Sequence, residues 1–285
     1  MLSKKIFLTI CLLSILNSGC AKTTPPAYES NEEQHFSESN KHNIDIKDIR
    51  SKAEKGDPES QYNMGVFYTD GYKNIHPNSL EALKWYTLSA EQGYAKAKYN
   101  LGVLLSSESG IKNDLPKAKK LFEEAANLGD IPSLNELGNF YNDGIGVNEN
   151  PTKAAEYYLN AANAGYSAAE NNIGNMYLHG RGVAQNKVEA SKWYMKAAEQ
   201  GEIDAQYNLG LMYLLGDGVT QSYPQAQKWF LAAAEQGEDN AQYHLGKIYK
   251  DGLGVEKNPS LARIWFEKSA RSGNTYASQE LSQMR

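Results

Sequence analysis

Cysteine is almost missing from this chain: it has two, Cys11 and Cys20, so a disulfide-stapled scaffold is not available to it. A basic stripe is missing as well. Lysine and arginine total 29 against 34 aspartate and glutamate, a net charge of −5, and the cations form no cluster. Nucleic acid therefore has no electrostatic footprint here, and a polybasic grip on a membrane has none either. Histidines are few and scattered. His76, His179 and His244 lie far apart and belong to no metal-ligand motif, while His35 and His42 sit seven residues apart in a polar segment and read as solvated. The Gly-x-Gly pairs precede irregular loops rather than follow strands, so they cradle no phosphate. Paired carboxylates such as Glu123 and Glu124 fall on a helix surface, where solvation accounts for them. No catalytic set, metal site or cofactor is expected.

Repetition is what the chain has. The stretch from Tyr166 to Gly201 is nearly rewritten on both sides of itself. Its closing glycine recurs as Gly56, Gly93, Gly129, Gly165, Gly201, Gly237 and Gly273, one step of 37 and then five of 36. A second glycine recurs at Gly65, Gly102, Gly138, Gly174, Gly210 and Gly246, and an alanine at Ala82, Ala118, Ala154, Ala190, Ala226 and Ala262. Units of this size cannot bury an apolar face alone and must stack into a solenoid. Within one unit, Ala169, Ile173, Met176 and Tyr177 recur at helical spacing, and the glycines of His179-Gly-Arg-Gly end that helix. A second helix runs from Lys187 to about Gln200 on an apolar stripe of Ala190, Trp193, Tyr194, Ala197 and Ala198, closed by Gly201. Each unit is a helical hairpin, with Gly174 and Ala190 expected at the crossing. The aromatic pairs, Trp193-Tyr194 and its equivalents, are expected to fill the space between hairpins.

The pattern A-x-x-x-L-G-x-x-Y, then G-x-G-V, then K-A-x-x-W-Y-x-K-A-A-x-x-G resembles the Sel1-like repeat, a longer-looped relative of the tetratricopeptide repeat. Ala205 to Gly237 and Ala241 to Gly273 match it closely, and six copies span 57–273. The resemblance implies an all-α, right-handed α-solenoid with repeats over 57–93, 94–129, 130–165, 166–201, 202–237 and 238–273. Capping helices are expected over 44–56 and 274–285. Departures fall in loops: the segment after Leu105 lacks the G-x-G, and the segment after Asp70 carries one extra residue. Cysteine-rich members of this family, some of which bind or cleave β-lactams, carry a disulfide per repeat; those cysteines are absent here.

Residues 1–19 stand apart from the fold. Lys4 and Lys5 precede an eleven-residue apolar core, Ile6 to Leu16, too short to span a bilayer and suited to a secretory signal. Leu16-Asn-Ser-Gly-Cys20 then resembles a bacterial lipobox, with Asn17 where leucine is usual. One reading is cleavage before Cys20 and its acylation; the other is an ordinary cleaved signal with a spare cysteine. The first is favoured, and Ala21 then points to the outer membrane of a bacterial cell envelope. Loss of Lys4 and Lys5 takes the charge from −5 to −5 − 2 = −7. Residues 20–43 are polar, lack periodicity and read as a disordered tether.

Function is expected on a surface. Residues two before, one after and five after the Leu-Gly glycine share one face of each first helix. In tetratricopeptide relatives this face lines a concave groove whose asparagines bond an extended peptide, a task an amide suits because it donates and accepts. The candidates are Asn63, Asn100, Asn172, Asn175, Asn208, Leu211, Leu215, His244 and Lys247, the last four forming an apolar patch with a cationic rim. Tying neighbouring hairpins together is the competing reading of each asparagine. The leading expectation is a non-enzymatic, monomeric adaptor, lipid-anchored through Cys20, with a protein or peptide in the groove and no nucleic acid. The rivals are an immunity protein that neutralises an envelope toxin such as a lipase, and a β-lactam- or wall-active hydrolase.

Overall fold

The computed structural model describes residues 45–107 and 110–284. The leader, Cys20 and the tether lie outside the described residues. Among the described residues there are fourteen helices and no strand. A short helix α1 (Ile46–Glu54) precedes six hairpins: α2 (Pro58–Asp70) with α3 (Ser79–Glu91), α4 (Ala95–Ser106) with α5 (Leu115–Asn127), and α6 (Ile131–Asp143) with α7 (Pro151–Asn163). Then come α8 (Ser167–His179) with α9 (Lys187–Glu199), α10 (Ile203–Leu215) with α11 (Tyr223–Glu235), α12 (Asp239–Asp251) with α13 (Pro259–Arg271), and a last short α14 (Thr275–Gln283). The chain is an all-α solenoid of repeats.

Local chemistry fixes the helix ends. The Asn186 side chain accepts from the Glu189 N–H at 3.0 Å and Asp57 from the Ser60 N–H at 2.8 Å, satisfying donors the helix start leaves open. Gly180 ends α8 in the left-handed region at φ 68°, and Gly201 ends the α9 turn at φ 95°, conformations costly for any side chain. The extra residue in the first hairpin is absorbed by a tight turn, with Tyr72 and Ile75 bridged and Lys73 at φ 50°. That loop is packed rather than loose: Tyr72 stacks on Phe67 at 4.7 Å and Ile75 is buried.

Contacts divide the chain into two compact units, the boundary falling within α7 at Tyr157 and Tyr158. In the N-terminal unit each helix from α1 to α6 packs on the next. The core there runs through Tyr62, Tyr86, Tyr99, Leu101, Phe122, Leu137 and Phe140. In the C-terminal unit the same succession holds from α8 to α14. One cluster joins Tyr194, Leu209, Met212 and Trp229, and another joins Phe230, Leu245, Ile248 and Trp265. The Trp229–Phe230 pair therefore divides its work: Trp229 packs toward the preceding hairpin and Phe230 toward the following one.

The crossing is as close at the glycine as expected, and an aromatic ring is what fills it. A Cβ on Gly174 would lie 2.8 Å from the Tyr194 ring, and one on Gly246 only 2.4 Å from the Phe266 ring. The second aromatic of the pair, not the alanine, occupies the space the glycine leaves. The alanine column is packed as well, Ala82, Ala190 and Ala226 being fully buried.

Candidate functional site

The first-helix face can be followed within each unit. In the N-terminal unit Asn63 is half-buried, and buried Asn100 donates through Nδ2 to the Tyr86 hydroxyl at 3.4 Å. Glu136 takes the equivalent position on α6 and is 7% exposed. Its carboxylate accepts from Asn139 Nδ2 at 3.2 Å and Asn135 Nδ2 at 3.5 Å. Burial pushes the Glu136 carboxyl up to about 7, against those two amides. Along the same face Val66 and Val103 are half-buried, while Asp70 and Asp143 are exposed.

In the C-terminal unit the asparagines are engaged with their own fold. Asn175 Oδ1 accepts the Tyr194 hydroxyl at 2.7 Å, and Asn208 Nδ2 donates to Asn171 Oδ1 at 3.3 Å. Asn172 is half-buried. Asn208 thus does the work of the competing reading, tying neighbouring hairpins together, whereas Asn175 bonds the second helix of its own hairpin; part of each side chain is still at the surface.

The apolar patch with a cationic rim requires correction. Leu211 is 4% exposed and belongs with Leu214 to the core; Leu215 alone of the three is half-exposed. His244 is 2% exposed and stacks on Phe230 at 4.9 Å with the planes 14° apart. Tyr207 and Tyr243 flank the same ring. Burial, helped by the Lys247 charge, lowers His244 to about 3, so the imidazole is neutral. Lys247 is no open rim charge: it pairs with Asp251 and Glu280, each at 3.2 Å. Lys250 also pairs with Glu280. Burial opposes ionisation of Glu280, but these two ammonium groups overcome it and hold the carboxyl below its usual range. The physical reason is the stacking of hairpins: His244 is enclosed by Tyr207 and Phe230 of the preceding hairpin, and Lys247 is met by Glu280 of the following first helix.

Two features went unread in the sequence. Four residues before the glycine, Gln61, Gln206 and Gln242 donate to the Ala53, Ala198 and Ala234 carbonyls near the ends of preceding second helices, at 3.1–3.2 Å. The glutamine before the closing glycine completes a clasp, Gln92 to Gln61 at 2.7 Å and Gln236 to Gln206 at 2.9 Å. The recurring glutamines were the available signal. Glu280, likewise, lies one 36-residue step past His244 in the face column.

Among the described residues no group of histidine, cysteine and carboxylate side chains is arranged to hold a metal ion. No described helix is long and apolar enough to cross a membrane.

Known proteins share this arrangement. The family model described as "Sel1 repeat" matches six times, at 58–94, 95–130, 131–166, 167–202, 203–238 and 239–274. A solved Sel1 repeat protein from Oxalobacter formigenes is 33% identical with a TM-score of 0.77, covering 83% of this chain and 69% of that one. A protective antigen of uropathogenic Escherichia coli is 31% identical with a TM-score of 0.76, covering 85% and 52%. An immunity protein from Pseudomonas aeruginosa, 23% identical with a TM-score of 0.51 over 80% and 81%, shares the fold. Among curated proteins, the DAP3-binding cell death enhancer 1 of Rattus norvegicus is 29% identical over 89 residues, 31% of this chain and 17% of that protein. This chain thus matches less than a fifth of the length of that relative.

Proposed function

We propose, from the premise that the chain belongs to the Sel1 repeat family, that it is a lipid-anchored adaptor of the bacterial cell envelope. It holds a protein segment on its first-helix faces. Proteins of this family bind protein partners and are typically non-catalytic. The observation that carries the finer reading is the register of amide and carboxylate side chains along the first helices in each unit, while the second helices present lysines such as Lys84, Lys120 and Lys192. Asn63 and Asn139 are half-buried, with surface left for a ligand's backbone. Anchoring rests on the sequence around Cys20. The immunity-protein likeness is one of fold and transfers no target to this chain.

Two experiments test the reading. Co-purification from detergent-solubilised membranes is expected to lose the partner on Asn63→Ala/Asn139→Ala and keep it on the second-helix control Lys84→Ala/Lys120→Ala. Equal recovery from both overturns the face assignment. Metabolic labelling with an alkyne fatty acid is expected to mark the wild type and not Cys20→Ser; label on both, or on neither, removes the anchor.

A further inference from the structure

The N-terminal unit contains a buried carboxyl group that its own fold leaves without a counter-ion among the described residues. Glu136 is 7% exposed, and its carboxylate is met by the Asn135 and Asn139 amides alone among the described side chains. No lysine or arginine pairs with it among the described residues. In the same unit Asn63 and Asn100 hold the equivalent position with neutral amides, so a carboxylate there departs from the local pattern. A buried carboxylate is tolerated when it is paired, and a departure without compensation inside the fold marks a place where function is expected.

The C-terminal unit shows what compensation looks like. Glu280 stands at the same register on α14, 144 residues after Glu136, or four steps of 36. It is paired by Lys247 at 3.2 Å and by Lys250, both from the preceding first helix α12. The residues at those two registers before Glu136 are Val103 and Ser106 of α4. One repeat register, occupied twice by glutamate, thus has two lysines waiting in one unit and none in the other. Two helical turns after Glu136 on the same face of α6, Asp143 is exposed.

We infer that the first-helix face of the N-terminal unit receives a protein segment carrying a lysine or arginine, whose cation sits against Glu136 where Lys247 and Lys250 sit against Glu280. The inference rests on the adaptor reading and adds the partner's charge to it. Asp143 extends the acidic field outward and steers the approaching cation. The carboxyl, raised by burial, ionises fully once the cation arrives, so binding and proton release are coupled.

Selection of a random-peptide display library on the immobilised full chain tests this. Selected peptides are expected to share a lysine or arginine. Glu136→Gln is expected to weaken them about tenfold or more. Val103→Lys, which supplies an internal cation at the register Lys247 occupies, is expected to block the same peptides. Thermal melts confirm that both variants fold. If the selected peptides are acidic or apolar, or bind Glu136→Gln unchanged yet fail on Asn100→Ala, the charge preference is wrong while the adaptor reading stands. If no first-helix substitution alters any selected peptide, both fall.

Discussion

Glu136 and His244 hold the same register in the two units, two residues before the crossing glycine, and both are buried. The C-terminal unit makes its titratable group neutral by enclosing the imidazole among Phe230, Tyr207 and Tyr243. The N-terminal unit encloses a carboxylate between two amides. The repeat dictates where this side chain goes. It does not dictate the chemistry, and the two units respond to pH in opposite senses.

The largest expected effect breaks the comparison from the His244 side. A histidine whose folded pKa falls from 6.5 to about 3 binds fewer protons folded than unfolded, so stability is lost as pH drops through that window. The full loss is on the order of 4–5 kcal/mol. Protection factors of the α12 amides, which correct for the intrinsic pH dependence of exchange, are expected to fall toward acid pH in the wild type and much less in His244→Asn. Glu136 gives the reverse. Its folded pKa, raised from 4.5 to about 7, means the folded state holds a proton the unfolded state has lost, so stability falls as pH rises through that window. The effect is about 3 kcal/mol, read as a loss of α6 amide protection factors as pH rises from 4.5 to about 7 that Glu136→Gln abolishes.

Smaller effects sharpen the comparison. Gly65→Ala and Gly246→Ala, one in each unit, place a Cβ 2.4 Å from the Tyr86 and Phe266 rings. Each is expected to cost about 1–3 kcal/mol in denaturant melts, although alanine normally favours a helix interior by about 1 kcal/mol. The smallest change is a gain. Gln242 Oε1 is buried without a partner because Ser272 stands where Gln92 and Gln236 close their clasps. Ser272→Gln is expected to add about 1 kcal/mol, seen as a higher melting temperature.

Much of the fold was legible because it is written six times. A column that keeps glycine or alanine through every copy reports close packing, and Gly174 and Ala190 do stand at packed positions. What fills the glycine's space was not legible, since periodicity cannot tell Ala190 from Tyr194 as the facing group. The face columns were harder. Their residues vary, and a variable residue reports neither exposure nor burial, so Leu211 and His244 read as groove features although the fold covers them. Lys247 read as a free cation because Glu280 lies beyond the last repeat, in a helix read only as a polar cap.

The central claim is that partners are held on first-helix faces, and site-specific photocrosslinking in intact cells tests it most directly. A photoreactive residue at Val66 or Val103 is expected to capture one discrete partner, and the same residue at Lys84 or Lys120 on the second helices is expected to capture none. Adducts formed from the second-helix positions and not from the first would contradict the claim.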